Sequence, residues 1–534
     1  MYPGTKLCGM AGGSADAGGV RVAELVATLS YAADLGLGQP LEHSMRQTVL
    51  ALRLADMIGA SEHDRAATYY VGLLMNTYCH ADAAEQARWF GDDISFKGDS
   101  FELLDKNTAQ IVSFIFRRVG SHGNGMARAR RLAAFPVTGL KEAMSFLATH
   151  SALSAQFAER IGLDTTTCRA IRQAFEQWDG KGYPAHLKGE DICLPARLVQ
   201  LTGPVEVFSR RRGTAAARAF VGRHRGTQFD PAVADLFCDQ ALDLLDGLDE
   251  AAQWDAILDS EPALRRRVAG ADLDDVLEAM ADLVDLKSPY LAGHSRGVAD
   301  LACRAARSLG FSTADVTALR RAGYLHDLGR LGISNSVWDK PGSLTDGERE
   351  RVRLHPYLTD RMLARVDALR PSREIASRHH ERLDGSGYPH GLTAASLTRL
   401  DRLLAAADAY HAMTEPRPYR DPLGPDKAAR TLQDEAQAGR LDGEAVNAVL
   451  RAAGARIPAR QGGPGGLTAR EVEVLVLLAR ANSNRQIAGK LVVAPKTASN
   501  HVQNIYAKLG ISSRAAATLY AMQHGLIGTT FEPA

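Results

Sequence analysis

The fold is decided by one short segment that occurs twice, first as Trp178-Asp179-Gly180-Lys181-Gly182-Tyr183-Pro184 and, 205 residues later, as Leu383-Asp384-Gly385-Ser386-Gly387-Tyr388-Pro389. Further upstream, His43-Ser44 recurs as His294-Ser295, here at an offset of 251 residues. Two fixed offsets indicate a duplicated domain whose first copy contains an insertion of about 46 residues. We call residues 20–250 copy 1 and residues 271–452 copy 2.

Both copies carry the sequence pattern of helices. Apolar residues recur at three- and four-residue spacing in 49–58, 298–309 and 400–413, and alternating β-branched runs are nearly absent. Thr345-Asp346-Gly347-Glu348 is a capping box, which predicts that a helix starts ahead of His355. The sequence therefore predicts an all-α fold: two related helical domains, a linker at 453–466 and a small C-terminal domain at 467–530.

Length and composition exclude several classes of protein. A chain of 534 residues is too long for one core, and 45% apolar with 23% charged residues is typical of globular proteins. The sequence contains no run of about 18 apolar residues, no signal-peptide pattern in its first twenty residues and no CxxC pair among its six cysteines. We therefore expect a cytoplasmic protein with reduced thiols and no membrane partner.

Histidines are concentrated in copy 2, where seven of the 16 in the chain lie between His294 and His411. Two of them, His326 and His380, lie directly beside another metal-ligating side chain, Asp327 and His379. Any one histidine on a helix is as often an ordinary core or surface residue as a metal ligand. Imidazoles ordered together with Asp327 and Asp408 instead suit borderline divalent cations such as iron, manganese or zinc, and a shared aspartate can bridge two ions.

Copy 2 resembles the HD-GYP phosphodiesterases from Ser288 to Leu441. The resemblance rests on ordered motifs, which are His294, His326-Asp327-Leu328-Gly329, Lys340-Pro341-Gly342, His355-Pro356, the stretch from His379 to Pro389, Asp408 and Arg417-Pro418-Tyr419-Arg420. It implies an all-α domain with two divalent metal ions, iron or manganese being expected, that cleaves a cyclic dinucleotide such as cyclic diguanylate.

The same resemblance assigns roles to individual residues of copy 2. One ion would be held by His294, His326, Asp327 and Asp408, and the second by His355, His379 and His380 with Asp327 as the bridge. Asp327 and Arg330 are the candidate catalytic residues, and the candidate substrate-binding residues are Gly387, Tyr388, Pro389, Arg417 and Arg420. The ions would activate the attacking water and neutralise the phosphate oxygens.

Three positions depart from the family pattern. Tyr290 stands where members with three metals carry a glutamate, so we expect two ions. Arg330 replaces the lysine of the motif and keeps its charge with a different reach. Asp421 stands where the family often has a basic residue that contacts the phosphate of the ligand. The metal site is therefore predicted more firmly than the nucleotide.

Copy 1 lacks most of the ligand set. His43 and His150 align with His294 and His355, but the positions of His326-Asp327, His379-His380 and Asp408 hold Met75-Asn76, Ala174-Phe175 and Gly203. Thioether and phenyl groups are poor ligands for such cations, so we expect copy 1 to be catalytically inactive. Scaffolding, dimerisation and ligand sensing are the roles that it could retain.

The C-terminal domain is basic and reads as a helix-turn-helix. The stretch from Leu467 to Ile527 contains seven Lys or Arg residues and two Glu, which gives it a net charge of +5. The whole chain has a net charge of only +1, so the positive charge is concentrated in this domain. Such a domain favours a polyanionic partner. Capping boxes at Thr468 and Ser483 open two helices, and Pro495 opens a third with a polar outward face. A bundle that only contacts proteins is the alternative to DNA binding.

The stretch from Leu467 to Ile511, together with Arg514, resembles the LuxR-type DNA-binding domains, which implies double-stranded DNA as the partner. Ala494 and Ala498 depart from the usual serine and valine and weaken a cap and a packing contact. The candidate DNA-binding residues are Arg485, Lys496, Thr497, Ser499, Asn500, Gln503 and Lys508, of which Arg485 and Lys508 would contact the DNA backbone.

The sequence thus predicts a transcription regulator that contains a metal-dependent phosphodiesterase domain. The alternative is a ligand-gated transcription factor whose copy 2 binds a nucleotide with little or no turnover. A third hypothesis is an enzyme that uses DNA only for localisation. Because LuxR-type modules bind DNA as pairs, we also expect a homodimer.

Overall fold

The computed structural model describes residues 19–105, 108–120, 125–136, 140–262, 265–455, 462–463, 466–480, 482–524 and 526. These residues form helices and four strands of two residues each, so the all-α prediction is confirmed. The chain divides into two compact units, Met1–Ala455 and Arg456–Ala534. The boundary predicted between copy 1 and copy 2 stays a prediction, and most of the linker predicted at 453–466 lies outside the described residues. Among the described helices, none is long and apolar enough to cross a membrane.

Copy 1 and the residues that follow it up to residue 262 contain the first strand and fourteen α-helices of the described residues. They are β1 (Val20–Arg21), α1 (Val22–Gly36), α2 (His43–Ile58), α3 (Glu62–Leu74), α4 (Ala83–Phe90), α5 (Asp93–Ser100), α6 (Thr108–Arg118), α7 (Gly125–Ala134), α8 (Leu140–Arg160), α9 (Thr165–Arg172), α10 (Leu194–Arg212), α11 (Thr214–His224), α12 (Pro231–Leu245), α13 (Leu248–Ala251) and α14 (Trp254–Asp259).

Copy 2 and the few residues directly before it contain one strand and ten α-helices of the described residues. They are β2 (Arg267–Val268), α15 (Gly270–Asp285), α16 (His294–Ser308), α17 (Thr313–Leu325), α18 (Asn335–Trp338), α19 (Asp346–Arg353), α20 (His355–Leu363), α21 (Arg370–Ala376), α22 (Arg399–Thr414), α23 (Pro425–Gln437) and α24 (Gly443–Ala452). Short 3-10 turns connect several of them, including Leu328–Gly332 directly after α17. The predicted capping box is confirmed, since Thr345 and Glu348 exchange hydrogen bonds at the start of α19.

The two copies share one hydrophobic core. Strands β1 and β2 pair antiparallel, with Val20 opposite Val268. Buried side chains from α1 to α3 of copy 1 pack in one continuous cluster with Leu277 and Met280 of α15 and with Leu328 and Leu331 of copy 2. The centre of copy 2 is therefore built against copy 1 within a single compact unit.

Corresponding contacts recur at the two offsets read from the sequence. Asp34 accepts hydrogen bonds from Ser44, and Asp285 accepts them from Ser295, 251 residues later. Glu176 accepts from the backbone amides of residues 185 and 187, and Glu381 accepts from those of residues 390 and 392. The glycine-rich segment after each glutamate is thereby folded in the same way in both copies.

The second unit is a small helical domain with its own core. Strands β3 (Gly462–Gly463) and β4 (Leu467–Thr468) pair antiparallel and precede α25 (Ala469–Ala479), α26 (Asn484–Leu491), α27 (Pro495–Leu509) and α28 (Arg514–Gln523). Both predicted capping boxes are confirmed, at Thr468–Glu471 and Ser483–Gln486. The core contains Leu475, Ile487 and Ile505.

Candidate functional site

The ends of helices in copy 2 bring seven candidate ligands to one buried centre. His294 begins α16, His326 and Asp327 directly follow α17, His355 begins α20, His379 and His380 follow α21, and Asp408 lies in α22. All are buried except His380, whose side chain is 17% exposed. The predicted ligands, far apart in sequence, thus face one another because the ends of α16, α17, α20 and α21 meet beside the middle of α22.

Asp327 lies between two groups of histidines. Its Oδ2 is 3.6 Å from His294 Nε2 and 3.2 Å from His326 Nε2. Its Oδ1 is 3.5 Å from His355 Nε2 and 3.8 Å from His379 Nε2. One carboxylate thus presents one oxygen to each group, which is the arrangement of an aspartate that bridges two cations.

Asp408 completes the first group. Its Oδ1 lies 3.4 Å from His294 Nε2 and 3.9 Å from His326 Nε2, and its Oδ2 lies 3.8 Å from His380 Nδ1. Within the described part of the chain, three groups of side chains are close enough to hold a metal ion, and all three lie in copy 2. They are His294 with His326 and Asp327, His355 with His379 and His380, and His294 with His411 and Glu415.

The donor atoms of this centre fit divalent cations. His294 Nε2, His326 Nε2 and both carboxylate oxygens of Asp327 are buried and make no hydrogen bond of good geometry, although Asp327 Oδ2 also forms an ion pair with Arg330 Nε at 2.7 Å. Buried polar atoms are normally satisfied, and four converging nitrogen and oxygen atoms of this kind suit a borderline metal ion. The residues present therefore fit the two-metal site that the sequence predicts.

The electrostatics of the centre agree with a cation site. Burial opposes ionisation of Asp327, but Arg330 and the nearby imidazoles outweigh it and hold the pKa of this carboxyl well below its usual range. Burial would lower the pKa of His294, but hydrogen bonds to Asp408 and Glu415 raise it to about 9. Burial lowers the pKa of His355 to about 4 and that of His379 to about 3, which keeps these imidazoles neutral. Asp327 is therefore ionised and His355 and His379 are neutral, which are the forms that bind metal, whereas His294 carries a proton at neutral pH that an incoming cation would displace.

Arg330 is part of the same cluster. Its Nε lies 2.7 Å from Asp327 Oδ2, and its guanidinium stacks over the ring of Trp338 at 4.4 Å from the ring centroid. Trp338 in turn lies edge-on to His355, with ring centroids 5.5 Å apart. The arginine that replaces the lysine of the motif is therefore held by a carboxylate and an indole together.

The predicted substrate-binding residues occupy two kinds of position. Tyr388 lies beside the centre, its ring centroid 4.8 Å from that of His380, and a cis peptide bond joins it to Pro389. Gly387 has a backbone role, because a Cβ there would lie 2.4 Å from the amide nitrogen of Arg382. This segment thus closes over the histidines, and the glycine permits the close approach.

Arg417 and Arg420, the two arginines predicted to bind substrate, already have hydrogen-bond partners within the chain. Arg417 donates to the carbonyl oxygen of Tyr290 at 2.8 Å and to Glu415 Oε2 at 3.0 Å. Arg420 donates to carbonyl oxygens at the end of α22, among them those of Ala412 at 2.6 Å and Met413 at 3.0 Å. Arg420 therefore caps a helix C-terminus, a contact that the sequence analysis did not foresee.

Two further residues were missed by the sequence analysis. Glu415 contacts His294 from the end of α22, and Asp93 of copy 1 contacts Ser334 and Asn335 near Trp338. Both contacts join residues more than 100 positions apart, so no local pattern pointed to them. In copy 1, His43 meets Glu206 instead, with Nδ1 and Oε2 2.5 Å apart, and His150 lies 3.2 Å from Asp82.

The second unit presents the predicted DNA-binding face on α27. Its N-terminal residue is Pro495, as predicted, and Ala494 before it makes no side-chain cap. The exposed candidates are Arg485, Lys496, Thr497, Asn500, Gln503 and Lys508, and Ser499 is half-buried. Lys508 also donates to Glu471 Oε2 at 2.7 Å, so part of its charge is already balanced within the domain.

Comparisons with known proteins agree with this architecture. A model of the HD domain matches residues 138–233 and 278–445, and a model described as bacterial regulatory proteins of the luxR family matches residues 466–521. The 3'3'-cGAMP-specific phosphodiesterase 3 of Vibrio cholerae is 29% identical over 436 residues, which are 81% of this chain and 94% of that protein.

A cyclic di-GMP phosphodiesterase of Thermotoga maritima matches a shorter part of the chain. It is 36% identical over 182 residues, which are 34% of this chain and 49% of that protein. Among solved structures, a cyclic GMP-AMP specific phosphodiesterase of Vibrio cholerae superposes with a TM-score of 0.55 at 26% identity. The match covers 82% of this chain and 98% of that one. Most of this chain therefore has a relative of the same fold.

Proposed function

The chain joins an HD domain to a C-terminal module of the bacterial LuxR regulatory family, and from this premise we propose that it is a DNA-binding regulator with a metal-dependent cyclic dinucleotide phosphodiesterase centre in copy 2. The observation that carries the proposal is the position of Asp327, which offers one oxygen to each of two histidine groups. The relatives named above, which are phosphodiesterases of 3'3'-cGAMP or cyclic di-GMP, support a cyclic dinucleotide as substrate.

In this proposal the residues of copy 2 divide the work. His294, His326, Asp327 and Asp408 would hold one ion, and His355, His379 and His380 would hold the second, with Asp327 shared. When bound, two such ions supply an activated water and neutralise charge on the phosphate. Arg330 and Trp338 fix the shared carboxylate, and Tyr388 closes the centre from the side of His380.

We further propose that copy 1 takes no part in the chemistry. Five of the seven ligand positions hold other residues there, and the ring of Phe101 packs against His43 with centroids 5.7 Å apart. Copy 1 then serves as a scaffold for copy 2, with which it shares a core. The module at the C-terminus binds double-stranded DNA through α27, and the full chain acts as a homodimer.

The contacts of Arg420 favour one alternative function. The guanidinium of Arg420 donates hydrogen bonds to backbone carbonyl oxygens, and the next residue, Asp421, is acidic. The loop beside the centre therefore offers few free positive groups that could bind a phosphate. A centre that binds a nucleotide and turns it over slowly would make the protein a ligand-gated transcription factor.

One experiment separates these functions. The full chain is reconstituted with Fe²⁺ or Mn²⁺ under reducing conditions and supplied with cyclic di-GMP or 3'3'-cGAMP, and linear products are quantified. We expect hydrolysis that His379→Ala combined with His380→Ala abolishes, while Met75→Ala in copy 1 leaves it within a few-fold. Tight binding without product supports the ligand-gated alternative, and equal loss from both variants contradicts an inactive copy 1.

A further inference from the structure

His294 differs from three other histidines of the centre in the way that its ring is held. In His326, His355 and His379, Nδ1 lies against the carbonyl oxygen three residues earlier, at 2.8, 2.6 and 2.6 Å. A backbone carbonyl that accepts from Nδ1 fixes the ring and leaves Nε2 free to bind metal. These three rings are therefore oriented by their own local backbone.

The ring of His294 is oriented by a distant side chain instead. His294 is the first residue of α16 and follows Gly293, whose φ of +79° takes the chain out of helical geometry. Its Nδ1 lies 2.8 Å from Oε2 of Glu415, which follows the last residue of α22, 121 positions away. The carboxylate thus takes the place that a backbone carbonyl has at the other three histidines.

Glu415 is itself held in place. Its Oε1 lies 3.1 Å from Nδ1 of His411, and its Oε2 accepts from Arg417 at 3.0 Å. Only 16% of the side chain is exposed. A carboxylate fixed on both sides can determine the orientation of the imidazole that it contacts.

We propose that Glu415 is a positioning residue for the ion that His294 helps to bind, an inference that rests on the proposed two-metal centre. By accepting the Nδ1–H of His294, Glu415 favours, in the neutral ring that would bind metal, the tautomer that keeps Nε2 free; Nε2 lies 3.4 Å from Asp408 Oδ1 and 3.6 Å from Asp327 Oδ2. A carboxylate in this position also makes the ligating nitrogen more basic and so strengthens its bond to a metal ion.

Copy 1 shows that a carboxylate on this helix can reach the first histidine. His43 also begins its helix, and its Nδ1 also meets a carboxylate, Glu206. Glu206 aligns with His411, and Arg210, which donates to it at 2.8 Å, aligns with Glu415. The acid therefore stands one helical turn earlier in copy 1, yet it reaches the first histidine in both copies.

A different use of the same side chains must be separated from this one. The ligand atoms of His294, His411 and Glu415 lie within 4.8 Å of one another, so a third ion could bind among them. In that case Glu415 would be a ligand and His411 would be needed equally. If Glu415 positions His294, His411 only braces the carboxylate.

The test measures metal binding rather than turnover. Full-length protein is stripped with a chelator and titrated with Mn²⁺ against a competing chelating dye, and bound Mn²⁺ is counted by mass spectrometry. We expect two sites in the wild type and, in Glu415→Ala, one site weakened about 10- to 100-fold while the other stays unchanged. Glu415→Gln keeps an acceptor oxygen without the charge and should lose about three- to tenfold. His411→Asn is the matched control and should keep both sites within about threefold.

Each other outcome contradicts a defined part of the reasoning. Unchanged affinity in Glu415→Gln and Glu415→Ala overturns the inference, and the glutamine variant alone decides if circular dichroism shows that the alanine variant is unfolded. Three ions in the wild type, one of them lost in His411→Asn, assign Glu415 as a ligand and also overturn it. A wild type that binds no Mn²⁺ refutes the proposed metal centre itself.

Discussion

Replacing Asp93 with asparagine should destabilise the centre of copy 2 from the side of copy 1. Asp93 belongs to α5 and is fully buried, and it accepts hydrogen bonds from Ser334 Oγ at 2.7 Å and from the amide of Asn335 at 2.8 Å. These two residues start α18, the helix that ends at Trp338. Because Trp338 contacts both Arg330 and His355, this carboxylate links copy 1 to the candidate metal centre, in addition to the shared core.

The magnitude follows from the charges around Asp93. The ammonium groups of Lys97 and Lys287 lie 3.5 and 3.8 Å from its Oδ2, and these lysines are only 6% and 1% exposed. Removing one partner of a buried ion pair costs about 3–5 kcal/mol, because the remaining charge stays desolvated. Burial already lowers the pKa of Lys287 from 10.5 to about 8. Lys287 loses its proton above that pH, so the cost should be full near pH 6 and smaller at pH 9.

Urea unfolding followed by tryptophan fluorescence measures this cost, because all four tryptophans lie in the first unit. We expect Asp93→Asn to lose about 3 kcal/mol at pH 6, and Lys287→Met added to it to recover part of the loss. Asp300→Asn, which breaks an exposed pair with Arg304, is the matched control and should change stability by less than about 1 kcal/mol. An Asp93→Asn variant as stable as this control, or equally destabilised at pH 6 and 9, would refute the reasoning.

Three further predictions concern the two units. Asp327→Ala should lose most of the bound metal, because both histidine groups lose their shared carboxylate; metal analysis of the full chain tests this, and wild-type content contradicts it. Burial opposes ionisation of Glu206, but His43 and Arg210 lower its pKa from 4.5 to about 2. The ionised carboxylate therefore contributes roughly 3 kcal/mol to the free energy of unfolding above pH 4.5, and this contribution is lost as the pH falls towards 2. Glu206→Gln should therefore be less stable in urea at pH 7 and lose less on acidification, and an unchanged pH dependence argues against this. Asn500→Ala should cost about 1–3 kcal/mol on a selected DNA site and little on random DNA, whereas Arg485→Ala should weaken binding to all sequences and lower the salt slope by about one; equal behaviour of the two variants would contradict the assignment.

The features that the sequence predicted are those encoded by local patterns. Capping boxes at Thr345, Thr468 and Ser483 open helices in the structure because the cap and its partner are three residues apart. The seven candidate ligands were found because each lies in a short motif whose order is fixed. The structure then showed how they meet, which depends on the packing of α16, α17, α20, α21 and α22.

The features that the sequence did not predict are contacts between distant parts of the chain. Glu415 reaches His294 only because the end of α22 packs beside the start of α16, and Asp93 reaches Ser334 across 241 residues. The charge of a side chain did not predict its hydrogen-bond partner either. Arg420 and Lys508 read as free cations in the sequence, whereas the structure gives them acceptors in the helix end and in Glu471.

The two copies show that one helical framework can hold either a ligand set or an ion-pair cluster. Gly203 stands where copy 2 has Asp408, and a Cβ at this glycine would lie 2.9 Å from Oε1 of Gln47. The amide of Gln47 therefore takes up the space next to the missing carboxylate, and Arg46 and Arg210 both lie 2.8 Å from Glu206 beside His43. The replacements in copy 1 are thus mutually packed, so that a single ligand restored at position 203 would meet a neighbour that has already filled its place. The two copies thus surround the first histidine with different charged residues, although a carboxylate contacts its Nδ1 in both.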